Sequence, residues 1–244
     1  FELSLILSVA IPVAISVLVG LISLRIEGLY LAIATLAVSE IFRKTFAEFD
    51  KITNGFSGKS AKYPMLLGFF KLDTTMTYLM LVLFMVLIMI LIHNLINSHV
   101  GRALNAMRGS EAAAQAMGIN LLKYRLLAFA LATALTSVAG ILYVHFIKYV
   151  EPSKWNLGLS LNILAVIIIG GVRNIMGTFV GAFVVFAVPD LFLKQIPYFG
   201  QIPNFAYIVN GILIIVVILF YPAGLIRVFT DAKVAFNKLI KKSG

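Results

Sequence analysis

Arg102, Arg108, Ser110, Glu111 and Gly118 lie in the one long polar interruption of an otherwise apolar chain, GRALNAMRGSEAAAQAMGIN, residues 101–120. Their types suit docking, not bond making. Gly109 breaks the helix leaving the preceding apolar run, and Ser110 offers a hydroxyl as N-cap for a new one. Glu111 falls in the first turn, where the helix dipole favours an anion. The Ala-rich run to Met117 favours helix, and Gly118 ends it. Seven residues at ~1.5 Å each give a rod of about 10 Å, too short to cross a bilayer. The expectation is a surface helix over 111–117 in which Ala113 and Ala114 keep the profile slim. Glu111 would then meet a basic group of a partner, and Arg102 and Arg108 acidic ones.

No catalytic constellation or metal-ligand spacing stands out. His93, His99 and His145 sit at the edges of apolar runs and read as interfacial rings, and with no cysteine there is no thiolate site. Gly58-Lys59-Ser60 resembles the end of a phosphate-binding loop, but Thr53 stands where that motif needs Gly or Ala, and the strand–loop–helix context is absent, so nucleotide binding is rejected. Polar groups inside apolar runs carry more information, because in lipid each must find a partner or line a cavity. Thr35, Ser39, Asn162 and Asn210 are therefore candidates for a translocation pathway. Gly170 and Gly171 join them as a helix break at depth. For both asparagines an interhelical hydrogen bond is an equal alternative, and Glu40 also reads as an interfacial carboxylate.

The elements that position these residues belong to a membrane. At 61% hydrophobic and 12% charged, with a mean hydropathy of +1.02, the chain lies outside the range of soluble domains. A net charge of +10 does not signal nucleic acid, since Lys and Arg are confined to breaks between apolar runs. Apolar runs begin near Leu3, Gly28, Thr75, Leu121, Leu157, Asn174 and Phe205, which predicts an all-α, polytopic bundle of about seven spans forming one domain over 1–244. Pro12 kinks the first. The second, 28–42, is short and either extends past Arg43 and Lys44 or ends inside the protein. Ala128, Ala132, Thr136 and Gly140 make one small-residue face, and Gly177 with Gly181 a second, both suited to close helix packing, whereas Val185 is expected to face lipid. Arg25 and Glu27 interrupt the first two runs, and a basic tail with Arg227, Lys233, Lys238, Lys241 and Lys242 closes the chain.

The 101–120 stretch resembles the cytoplasmic loop of ABC-importer permeases of the branched-chain amino-acid (LivM-type) family. Gly118 follows Glu111 by seven residues, that family's own spacing and not the general importer one. GLYLAIATLA (28–37), TNGFSG (53–58), GGVRNIMGTFVGA (170–182) and YPAGL (221–225) follow in the family's order. Asn54 departs from the family's usual Thr-Gly-Gly. The resemblance implies a transport subunit with no ATPase of its own and no cofactor in this chain, ATP and Mg²⁺ being bound by two cytoplasmic ATPase subunits. It further implies a second homologous permease, an extracytoplasmic substrate-binding protein, a prokaryotic plasma membrane, and at least one span ahead of Phe1. The coupling loop, 98–125, and the C-terminus are placed in the cytoplasm on that resemblance, because the 20 basic residues split almost evenly between the two sides. Urea or a short amide is an alternative cargo. An ATP-independent transporter with Glu40 as its coupling carboxylate is another, disfavoured by the capped loop helix. The pathway is expected to be dry, mostly apolar and without a tight site of its own.

Overall fold

In a computed structural model the described residues are 1–23, 29–61, 63–66, 70–172, 174–189, 191, 205–220 and 224–225. Arg25, Glu27, Gly28, Arg173, Tyr221, Pro222 and the basic tail lie outside them. The architecture is a helical membrane bundle that divides into two compact units, Phe1–Trp155 and Asn156–Gly244.

In the first unit, α1 (Glu2–Ser23), α4 (Thr74–Asn97) and α7 (Leu121–Ile147) are long and apolar enough to cross a membrane. α1 and α4 are rich in Leu, Ile and Val and α7 in Leu and Ala, and many large hydrophobic side chains are exposed because their solvent is lipid. Pro12 lies inside α1. Its most extensive partner is α7, and Phe1 meets the edge of His145 at 5.4 Å. The short second run resolves as the longer alternative: α2 (Leu29–Glu48) continues past Arg43 and Lys44 for 20 residues, about 30 Å of helix.

A small cap joins the end of α2 to the end of α7. It holds α3 (Asp50–Thr53), a 3₁₀ turn at Gly55–Ser57, β1 (Lys59–Ser60), β2 (Met65–Leu66), β3 (Phe70–Lys71), β4 (Tyr149–Val150) and a 3₁₀ turn at Pro152–Lys154. β1 pairs antiparallel with β4, Lys59 opposite Val150, and β2 with β3. Thr53 donates its hydroxyl to the Phe46 carbonyl at 2.6 Å, Asn54 Nδ2 to the Gly58 carbonyl at 3.0 Å, and Tyr149 Oη to the Ser57 carbonyl at 2.5 Å. Asn54 takes φ 62°, the left-handed region that asparagine tolerates better than other residues with a side chain. That explains why it can stand where the family usually has glycine. Lys59 and Ser60 are strand residues with no helix after them, so this is not a phosphate loop. The Lys148 ammonium lies 3.6 Å from the centroid of Tyr63 and 3.4 Å from Thr74 Oγ1. By hydrogen bond and charge it holds the Tyr63 phenol below its usual pKa.

The cap thus gathers the start of α4 and the end of α7. At the other ends of these two helices lie α5 (His99–Gly109) and α6 (Glu111–Ala116).

In the second unit, α8 (Leu157–Gly170) packs on α9 (Ile175–Ala182), which continues as a π-helical turn at Phe183–Ala187, and on α10 (Phe205–Phe220). Ala165, Val166, Ile169, Val185 and Val217 form its core. Val185 is 2% exposed. This corrects its lipid-facing assignment, since a residue four after Gly181 stays on the same helical face.

Candidate functional site

The polar loop is built by three caps in succession. Ser98 accepts from the Gly101 N–H at 3.4 Å and starts α5; Ser110 accepts from Ala113 at 3.3 Å and starts α6; Asn120 accepts from Lys123 at 3.0 Å and starts α7. Each turns the chain by satisfying a backbone donor that the helix start leaves open. α6 ends one residue earlier than expected, at Ala116, with Gly118 at φ 82° and the Ile119 N–H bonded to the Ala114 carbonyl at 3.0 Å. Among the described residues nothing lies within 4 Å of a Cβ added at Gly118, so the glycine serves the backbone angle and not a close approach.

Two expectations for this helix are corrected. Ala114 is 3% exposed, held where α6 meets α5 and α7, and is therefore not part of a free docking face. Glu111 is already engaged within the chain, its carboxylate accepting from the Arg125 guanidinium on α7. Ala113, Gln115, Ala116 and Gly118 stay exposed, and Met117 is 83% exposed. Arg102 donates to the Asn97 carbonyl at 3.0 Å; Arg108 sits in the last turn of α5. Arg125 and Gly101 were not singled out from sequence. A Cβ at Gly101 would lie 2.2 Å from the Ile96 carbonyl oxygen, so the bend between α4 and α5 requires glycine there. The signal was its position three residues after a serine N-cap.

In the second unit the glycines bring backbones together. A Cβ at Gly170 would lie 2.0 Å from the Gly177 oxygen, one at Gly177 2.4 Å from the Gly170 oxygen, and one at Gly181 2.1 Å from the Val166 oxygen. A Cβ at Gly224, from the YPAGL stretch, would lie 2.2 Å from Gly171 Cα. Gly140 differs: an added Cβ meets nothing within 4 Å, and Ala132 and Thr136 on the same face are exposed. Among the described residues nothing packs closely on that face at Gly140.

Asn162 and Asn210 meet across α8 and α10. Asn210 Nδ2 donates to Asn162 Oδ1 at 3.3 Å and to the Val185 carbonyl at 3.5 Å, in the π-helical turn. That carbonyl fixes which way the Asn210 amide points. Asn210 is 4% exposed and its Oδ1 has no partner among the described residues, an arrangement that costs about 1–3 kcal/mol when nothing fills it. The interhelical hydrogen bond is thus formed: the pair clasps three elements and leaves one buried acceptor without a partner among the described residues.

Thr35 and Ser39 belong to the first unit. Their hydroxyls donate to the Ala32 and Leu36 carbonyls of their own helix, at 2.9 and 3.0 Å, so neither presents a donor to a passing solute. Glu40 is bound by Arg43 one turn on, through Nε at 2.8 Å and through Nη2. Among the described residues no group of three or more His, Cys, Asp or Glu could hold a metal ion.

The family model described as "Branched-chain amino acid transport system / permease component" matches residues 1–218. The chain belongs to that family. This permease is 27% identical over 188 residues to the high-affinity branched-chain amino acid transport system permease protein LivM of Salmonella typhimurium, covering 67% of the chain and 44% of that protein. It is 26% identical over 236 residues to the probable LivM of Methanocaldococcus jannaschii, covering 91% of the chain and 68% of that protein. A shorter likeness, 31% over 94 residues, links it to the ribose import permease protein RbsC of Escherichia coli, covering 36% of the chain and 29% of that protein. The chain spans under half the length of the bacterial LivM proteins it matches, 44% and 43%. No solved structure matches.

Proposed function

We propose that this permease is a membrane-spanning subunit of an ABC importer that carries branched-chain or other hydrophobic amino acids handed over by a binding protein. It works with a second permease and is driven by two cytoplasmic ATPase subunits, which bind ATP and Mg²⁺. The observation that carries the reading is the capped, exposed helix α6, bracketed by Gly109 and Gly118 and tied through Glu111 to Arg125 on a long apolar helix. A rigid knob joined to a span by a charge-assisted hydrogen bond can pass a partner's motion into the membrane; a solvated loop cannot. Arg102 and Arg108 lie beside it, with Ala113, Gln115 and Met117 as the surface a groove would grip. On this reading 98–125 lies in the cytoplasm.

On the same reading the pathway runs through the second unit, at Asn162, Asn210 and the break at Gly170 and Gly171. Asn210 Oδ1 is a neutral acceptor able to take a proton-bearing group of the solute without holding a zwitterion tightly. Thr35 and Ser39 stand outside that pathway, because their hydroxyls are turned back on α2. The paired state of Glu40 and the build of α6 both favour an ATP-driven subunit over a carboxylate-coupled transporter. The test is reconstitution with the cognate ATPases, second permease and binding protein in proteoliposomes. ATP-dependent uptake of labelled leucine, with no uptake of urea, is expected. Urea uptake would reassign the cargo, and uptake without ATPase subunits would overturn the mechanism.

A further inference from the structure

We propose that Pro189 is a positioning residue: by withholding a backbone N–H from the Val185 carbonyl it commits the Asn210 amide to that carbonyl and fixes Oδ1 as the group shown to a solute. The inference rests on the pathway reading of Asn210 and adds what sets its chemistry, an acceptor for N–H or ammonium groups that turns carboxylates away.

Pro189 is buried and lies four residues after Val185. In a regular α-helix the N–H at that position would close on the Val185 carbonyl; proline has none, and its ring would crowd the same oxygen. The helix is wider just ahead of it. The turn at Phe183–Ala187 is π-helical, and the Val188 N–H bonds the Phe183 carbonyl five residues back. A carbonyl freed by proline inside a membrane is satisfied from a neighbouring helix. Asn210 of α10 does this, Nδ2 donating to the Val185 oxygen at 3.5 Å.

The other bond of the amide does not fix its direction. Asn210 Nδ2 also donates to Asn162 Oδ1 at 3.3 Å, but a carboxamide carries both donors and an acceptor, so Asn162 can turn its own end to suit either orientation of Asn210. A backbone carbonyl only accepts. Val185 therefore decides which end of the Asn210 amide faces it, and Pro189 makes no claim on that oxygen. With Nδ2 given to two acceptors, Oδ1 is left without a partner among the described residues, in a side chain 4% exposed. Asn210 shares its face of α10 with Val217, seven residues on and buried in the core. In that packed, low-dielectric setting a flipped amide would set its oxygen against the Val185 oxygen with no water to relieve the clash.

The test compares Pro189→Ala, Asn210→Leu, their double variant and Asn162→Ala in the full chain in mild detergent. With asparagine labelled in ¹⁵N, the Asn210 side-chain resonances are identified by their loss in Asn210→Leu and their exchange in D₂O is followed. Pro189→Ala supplies the missing N–H, so the Asn210 amide protons should exchange about fivefold faster. Asn210→Leu should lower Tm by about 2–4 °C in the parent and by about half as much in the Pro189→Ala background. Asn162→Ala leaves the proline in place and should keep one of the two protons protected, the one on Val185. In the complex reconstituted with ATPases, second permease and binding protein, Pro189→Ala should lower maximal leucine uptake about twofold, as expected for two equally populated amide orientations, with KM unchanged. Additive melts, unchanged exchange in Pro189→Ala, loss of protection at both protons in Asn162→Ala, or parental uptake in Pro189→Ala each overturns the proposal. The pathway reading fails by a different result, parental uptake in Asn210→Leu while the melts stay coupled, which leaves Pro189 setting the direction of the amide.

Discussion

Gly181→Ala is the sharpest probe of how the second unit is held together. The new Cβ would sit 2.1 Å from the Val166 carbonyl oxygen, 2.9 Å from Gly170 N and 3.0 Å from Gly170 Cα. All three are backbone atoms, so no side chain can rotate away. Reaching an ordinary contact of 3.4 Å requires α8 and α9 to part by about 1.3 Å. That separation opens the core around Ile169, Val166 and Val185, which are 0, 5 and 2% exposed. Such overpacking costs about 1–3 kcal/mol, against a helix gain of ~0.5–1 kcal/mol for replacing glycine. The net is a loss of about 1–2 kcal/mol, or roughly 2–8 °C in Tm for a chain of this size. Gly140→Ala is the matched control, since nothing lies within 4 Å of its added Cβ; it should keep the helix gain and raise Tm by about 1–4 °C. Far-UV circular dichroism melts of the purified chain in mild detergent read both. A Tm for Gly181→Ala at or above that of the parent, or the two variants moving together, would refute the argument from backbone contact.

The Glu111 and Arg125 pair is half-exposed and should contribute under ~1 kcal/mol to folding, so Glu111→Lys should insert and fold normally yet lose transport-coupled ATP hydrolysis. If the link to α7 is what matters, adding Arg125→Glu should restore coupling in part; no recovery in the double variant would transfer the role of Glu111 to a partner's surface. Gly118→Ala and Gly118→Leu should cost the same stability, about 1 kcal/mol, because the strain is in the backbone and the space is open. If α6 docks, only the Leu variant should then lose ATPase coupling beyond the Ala variant in the reconstituted complex; equal coupling in both would argue against a groove closing on that turn. Asn210→Leu removes the clasp to Asn162 and the Val185 carbonyl and should lower Tm by a few degrees, membrane hydrogen bonds averaging about 0.6 kcal/mol. It should also slow leucine uptake more than its stability loss explains, and uptake at the parental rate would remove Asn210 from the pathway.

Composition alone made this a helical membrane protein, because 61% apolar residues cannot be covered by water and every backbone group in lipid must bond within its own helix. The ends of α5, α6 and α7 were equally legible, since Ser110, Asn120 and Gly118 act within a few residues of themselves. Local chemistry writes local structure. What the chain does to itself at a distance had no such signal. That Glu111 reaches Arg125, that Asn210 bonds both Asn162 and the Val185 carbonyl, that Gly224 lies on Gly171, and that Gly140 faces open space while Gly181 meets a carbonyl all depend on which helix faces are apposed. Near-uniform apolar helices carry almost no periodic pattern to fix that. In water an apolar stripe announces the buried face; in lipid both faces are apolar, so only the packed backbone decides where a glycine is required and where a polar group finds its partner.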